Sequence, residues 1–167
     1  MPTSRSLLVA ALTLATLVGC AGAEKSQACP LVGIRTGISI GIAAAIAEQV
    51  EAAEMTVCWD GSCRTRAVTL QPSSRTVDDG CTGSGSDAVC SAHAEATGER
   101  VGFADIADLP ASPVEVTVVL TDPAGARILD QMLMLTPKMA HPNGAHCGGR
   151  PQGRITVDAD AKAHAAG

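Results

Sequence analysis

The chain holds no tyrosine, one tryptophan (Trp59) and one phenylalanine (Phe103). Two rings give little platform for stacking a sugar, and a core without aromatics must draw its burial from Val, Ile, Leu and Met. Positive charge is scarce too: 12 Lys and Arg stand against 17 Asp and Glu, a formal net charge of −5. Nucleic acid rewards clustered Lys and Arg, so the balance argues against that partner. Long apolar runs are also missing. The longest opening run, Leu7 to Val18, falls short of the roughly 20 residues a helix needs to cross a bilayer. Motifs for chemistry are sparse as well. "GCTGSGSD" sets serines among glycines without the G-x-S-x-G spacing of an exposed nucleophile, and Asp78, Asp79 and Asp87 lack the alternating spacing of a calcium loop. No catalytic residue and no cofactor is therefore assigned, and the chain reads as a non-enzyme.

What is present starts with "MPTSRSLLVAALTLATLVGC": a positive charge at Arg5, an apolar run and a close of small residues, the three-part build of a secretory signal. Its end, "LVGC" at Leu17 to Cys20, resembles the lipobox of bacterial lipoproteins. The resemblance implies that residues 1–19 are a cleaved signal peptide and that Cys20 becomes the mature N-terminus. Its sulfur would carry a diacylglyceryl group, with palmitate-type acyl chains fixing the protein to the extracytoplasmic face of the cell membrane. Two chains suffice for stable anchoring, at about 0.8 kcal/mol per buried methylene. Loss of Arg5 would leave 11 basic and 17 acidic side chains, so lipid rather than a basic patch holds the protein at the membrane. Residues 20–28, "CAGAEKSQA", read as a lipidated tether spanning about 15 Å on average.

Six further cysteines remain: Cys29, Cys58, Cys63, Cys81, Cys90 and Cys147. An even number in an exported chain reads as three disulfides. In "CWDGSC" an Asp60-Gly61 two-residue turn of type I′ sets Cys58 opposite Cys63, within disulfide reach. A zinc site wants a second ligand pair and a thioredoxin-like site wants two intervening residues, so the spacing favours a stapled hairpin. Cys81 and Cys90 bracket the short loop "TGSGSDAV" and pair readily, which leaves Cys29 to Cys147 by elimination. The chain-entropy model gives these bridges roughly 2, 3 and 5 kcal/mol.

Period-two alternation marks strands with one buried face. Val32, Ile34, Ile38, Ile40 and Ile42 alternate with polar and small residues, and "AAAIAEQVEAAE" then suits a helix of about two turns. The hairpin runs roughly over 55–59 and 62–70. Its register places Arg64 and Arg66 on the face of Met55, Val57 and Trp59, an awkward position that Arg stacking on Trp59 would relieve. Residues 71–89 read as a long Ser-, Gly- and Asp-rich loop pinned by Cys81 and Cys90, followed by two strands around Thr97-Gly98. "VEVTVVL" alternates again, "DPAG" turns the chain, and a short strand lies near 154–158. Seven or eight short strands with one short helix predict a single all-β antiparallel sandwich over residues 29–160, with 161–167 a disordered tail. Residues 108–129 are similar to transthyretin-like and immunoglobulin-like secreted modules, which implies the same fold and lends no function.

Two partner classes follow. The first is the membrane, through the Cys20 acyl chains, together with an envelope protein engaged by a binding module. The alternative is copper: "MLMLTPKMAHPNGAHC" gathers Met132, Met134, Met139, His141 and His146, thioether and imidazole ligands that suit that metal. His93 is expected to be exposed and no ligand, with His164 in the tail.

Overall fold

The computed structural model describes residues 28–30 and 32–166; Leu17–Cys20, read above as resembling a lipobox, lies outside the described residues. Of two compact units, residues 1–31 and 32–167, the second holds every strand described below. In chain order these are β1 (Gly37–Ile42), β2 (Ala52–Trp59), β3 (Ser62–Val68), β4 (Gln71–Thr82), β5 (Val89–Asp105), β6 (Val114–Thr121), β7 (Arg127–Leu135), β8 (Lys138–Ala140), β9 (Arg150–Val157) and β10 (Ala163–Ala165). A single turn of helix, α1 (Ala44–Ala47), links β1 to β2.

The strands form two sheets. The larger runs β10-β9-β1-β5-β4, with β8 also against β9, and the smaller runs β3-β2-β6-β7. Pairing is antiparallel except between β1 and β9, which run parallel. Alternation puts Ile38, Ile40 and Ile42 of β1 and Ile155 and Val157 of β9 on the inner face of the larger sheet. Met55 and Val57 of β2 and Val114, Val116, Val118 and Leu120 of β6 face them from the smaller one. Each such side chain contributes about 1.5–3 kcal/mol on burial, and no aromatic ring is among them. The fold is the expected all-β sandwich over a core of small aliphatic groups, and six cysteines are disulfide-bonded.

Several local expectations are corrected. Strand β1 starts at Gly37 rather than Val32, which is 59% exposed. Gly37 takes φ +153°, where a Cβ would overlap the Ala104 carbonyl oxygen, and a single further bond, from the Ile106 N–H to Thr36 O at 3.0 Å, precedes the ladder. The helix is one turn, not two, because the Glu51 N–H bonds to Thr121 O at 2.8 Å and draws the following residues into the sheet. The presumed loop 71–89 is mostly strand: β4 pairs with β5 from Gln71↔Val101 out to Thr82↔Val89. The two strands expected around Thr97-Gly98 are one 17-residue strand with a bulge, in which Gly98 takes φ +77° between the pairs Pro72↔Arg100 and Ser74↔Ala96. Residues 163–165 are not tail but β10, paired with β9, and His164 Nε2 lies 2.7 Å from Asp158 Oδ2. The strand count among the described residues is therefore ten rather than seven or eight.

Candidate functional site

Past the Gly98 bulge, β4 and β5 leave the sandwich as a two-stranded ribbon. Every residue from Ser74 to Ala96 is exposed except the half-buried Val77. Nine residues of strand at about 3.3 Å each make an arm roughly 30 Å long. Its tip is closed by the Cys81–Cys90 disulfide, Cα atoms 4.0 Å apart, and by a 3₁₀ turn at Gly85–Asp87. At its root the Arg100 guanidinium donates to the carbonyls of Val50 and Leu70, tying β5 to the segments that flank the hairpin β2–β3.

The two faces of the arm differ. On one, Arg75 pairs with Glu95 at 2.7 Å, and Asp79, displaced by a second bulge, sits 2.7 Å from His93. On the other, Ser74, Thr76 and Asp78 lie opposite Ala96, Ala94 and Ala92. This second face is made of small side chains, and its carboxylate, Asp78, accepts the Gly80 N–H at 2.7 Å and no other side-chain or backbone donor among the described residues. His93 is exposed, as expected.

The edges of the sandwich are closed by side chains. At "CWDGSC" both Asp60 (φ +46°) and Gly61 (φ +73°) are left-handed, as a type I′ turn requires, and Cys58 is bonded to Cys63 with Cα atoms 4.1 Å apart. Cys29 and Cys147 are each part of a disulfide as well. In β3, an edge strand, Arg64 lies over Trp59 at 5.5 Å and reaches Asp108 at 3.1 Å, while Arg66 donates to Asp105 O at 3.2 Å. Each also caps the carbonyl of the preceding residue, Cys63 at 3.2 Å and Thr65 at 2.9 Å. These carbonyls point outward from the hairpin, so inward-rooted arginines occupy acceptors that a foreign strand would need. Across the sandwich, Gln131 of β7 donates to Ala163 O at 2.8 Å and accepts from Ala163 N at 2.9 Å, lacing that edge to β10.

The outer face of the larger sheet carries the other notable chemistry. Arg35 stacks over Phe103 at 4.2 Å and holds Asp105 with an Nε–Oδ1 bond of 2.9 Å. That bond keeps the Asp105 carboxyl below the usual aspartate range and raises the Arg35 guanidinium. With Arg66, Thr69 and Gln71 they line a cleft of ≈ 450 Å³. Further along, Ser39 and Gly41 floor a trough of ≈ 240 Å³ between Val101 on β5 and Arg154 and Thr156 on β9. Arg150 and Arg154 share the outward face of β9, and Lys138 pairs with Gln152 on that side. None of these three cations has a carboxylate partner among the described residues.

No protein-family model, characterised protein or solved structure matches this chain. The copper-ligand set is spread over both sheets. Met132 and Met134 stand on the outer face of β7, each 61% exposed, and Met139 lies on β8 of the larger sheet. His141 follows β8 with its Nδ1 3.1 Å from Gly148 O, and His146 lies in a 3₁₀ turn, Ala145–Cys147. The arm escaped the sequence because it shows no one-sided burial, and the cationic face because Lys138 joins Arg150 and Arg154 only through the pairing of β8 with β9. The one signal for the arm was the pair Cys81 and Cys90, which closes a ribbon rather than a loop.

Proposed function

We propose that this protein is a lipid-anchored module of the cell envelope, held on the extracytoplasmic face by acyl chains on Cys20 and acting by binding a partner rather than by catalysis. The signal-like N-terminus and lipobox support the anchor, and three disulfides suit an oxidising compartment outside the cytoplasm. The observation that carries the binding role is the arm. A two-stranded ribbon with no buried face is marginally stable by itself, and its unpaired edges are a template for association. A disulfide at its tip keeps this costly shape presented to solvent, which is the property a docking element needs.

Fractionation and intact mass test the anchor. The native protein is expected in the membrane fraction with a lipid-sized mass addition, and Cys20→Ser is expected to release or misprocess it; an unaltered fraction and mass refutes lipidation. A photo-crosslinking residue tests the binding role when placed in the arm at Thr76 or Ala94 and, as a control, at Thr117 on the outer face of the smaller sheet. Adducts are expected from the arm positions only. Equal yields at all three, or none, overturn the role given to the arm.

A further inference from the structure

We propose that the arm's partner is a second copy of this chain: the small face of the arm seats on the outer face of the larger sheet of a neighbouring copy, where Asp78 and Asp87 meet Arg150 and Arg154. This deepens the binding role proposed above and rests on it.

Three observations carry it. The first is sign. Residues 74–96 hold four acids, Asp78, Asp79, Asp87 and Glu95, against the single base Arg75. Glu95 is used by Arg75 and Asp79 faces His93, so Asp78 and Asp87 have no cation partner among the described residues. The receiving face has the reverse imbalance, with Arg150, Arg154 and Lys138 lacking carboxylate partners among the described residues of a chain whose net charge is −5. Complementary potentials of this kind steer encounter and fix register.

The second is shape. Ala92, Ala94 and Ala96 form a row of methyl groups on the same face as Asp78. The trough over Ser39 and Gly41 is bounded by side chains on β5 and β9, two strand spacings or about 10 Å apart. Val101 on its rim, 40% exposed, offers the methyl row an apolar contact.

The third is the contrast between the arm's faces. The face carrying Arg75, Glu95, His93 and Asp79 satisfies its charges internally and suits water, whereas the small face leaves its acid open. Donor and receptor are different surfaces, so the contact is either reciprocal across a two-fold axis or propagates head to tail. Lipid tethers would confine copies to one plane and raise their effective concentration. That last effect depends on the anchor, and the charge pairing does not.

The test is sedimentation velocity on the full chain carrying Cys20→Ser, over a range of concentration and salt. Association is expected to weaken at least about tenfold between about 0.05 and 0.5 M salt. Two charge-reversed chains then decide the matter, one with Asp78→Lys and Asp87→Lys, the other with Arg150→Glu and Arg154→Glu. Each is expected to be monomeric alone, because arm and face then carry the same sign. Their equimolar mixture is expected to associate, because every arm finds an opposite face. A wild-type chain that stays monomeric at all concentrations, reversed chains that associate as wild type does, or a mixture that stays monomeric would each overturn the proposal. Arm crosslinks to a different protein alongside a monomeric wild type would reject self-association while leaving the binding role standing.

Discussion

Removing either of two similar disulfides should have unequal consequences, because one lies inside the cooperative sandwich and the other at the end of the arm. By the chain-entropy model a bridge with sequence separation 5, such as Cys58–Cys63, restricts the unfolded chain by about 2 kcal/mol, and one with separation 9, such as Cys81–Cys90, by about 2.6 kcal/mol. On loop length alone the second matters more. The structure reverses the order. Strand β2 places Met55 and Val57 in the core, so Cys58→Ser with Cys63→Ser cannot be relieved by local opening and the whole loss, about 2 kcal/mol, falls on global unfolding. For a domain of this size that lowers Tm by roughly 6–10 °C. The arm has no fully buried side chain, so its own folding free energy is small. Cys81→Ser with Cys90→Ser favours a state in which only the arm has melted, and the unfolded chain gains the same freedom as that state. The cost to global stability is therefore capped at the arm's own small stability, and Tm should fall by less than about 3 °C. Hydrogen exchange read by mass spectrometry resolves the two cases. Loss of the arm bridge should abolish protection across 74–96 while Val116 and Ile155 exchange as in wild type, and loss of the hairpin bridge should lower protection throughout the core. An equal fall in Tm for both variants would refute the separation of arm from sandwich.

Other outcomes follow from single contacts. Gly98→Ala forces an L residue into φ +77° and sets its Cβ 3.1 Å from the Ala44 methyl, so denaturant unfolding should show a loss of about 1–2 kcal/mol. Gln131→Ala removes both bonds to Ala163 and should cost about 1–3 kcal/mol, with faster exchange at Ala163–Ala165 than in β2. The Asp158 carboxyl is held below the usual aspartate range, first by His164 and then by the N–H groups of Lys162 and Asp160. A depressed folded pKa contributes stability above the unfolded value of about 3.9 and loses it as pH falls through the folded value, so Asp158→Asn should flatten the acid limb of a stability–pH curve below about pH 4. Because Met132 and Met134 are exposed, replacing both by Ser should change stability by less than about 0.5 kcal/mol. Copper retention measured on that variant would then report ligation without a folding artefact.

The sequence was legible wherever one face of an element is buried and the other is wet. Strands β1, β2 and β6 announce themselves by alternation, the Asp60-Gly61 turn by the only residue types that accept two left-handed positions cheaply, and even the Arg64–Trp59 stack follows from hairpin register. The arm is illegible by the same logic. Ser74, Thr76, Ala94 and Ala96 have no core to face, so no period is imposed on them, and Ser-, Gly- and Asp-rich composition reads as loop. Gly98 misleads in a related way, since a left-handed glycine marks a turn and a bulge equally well. Strand β10 is held by β9 and by the Gln131 side chain, 32 residues distant from Ala163, a tie that no local pattern encodes. The cationic face needs register as well. Arg150, Arg154 and Lys138 are scattered in the chain and become neighbours only when β8 and β9 pair.

A sandwich short of aromatics has little stability in reserve, and an open edge that captures a foreign strand would put that reserve at risk. The edges described here are treated accordingly. Arg64 and Arg66 fold back over the outward carbonyls of β3, Gln131 binds β7 to β10, and β10 itself is only three residues long. Each device works against association by strand addition. The arm is the exception, since its outer edges carry no such covering among the described residues and a disulfide holds its two strands together at the tip. Protection of β3 and β7 beside deliberate exposure of β4 and β5 directs any strand-mediated or face-mediated contact to one element. That asymmetry, rather than exposure alone, gives the arm its claim to be the working part of the molecule.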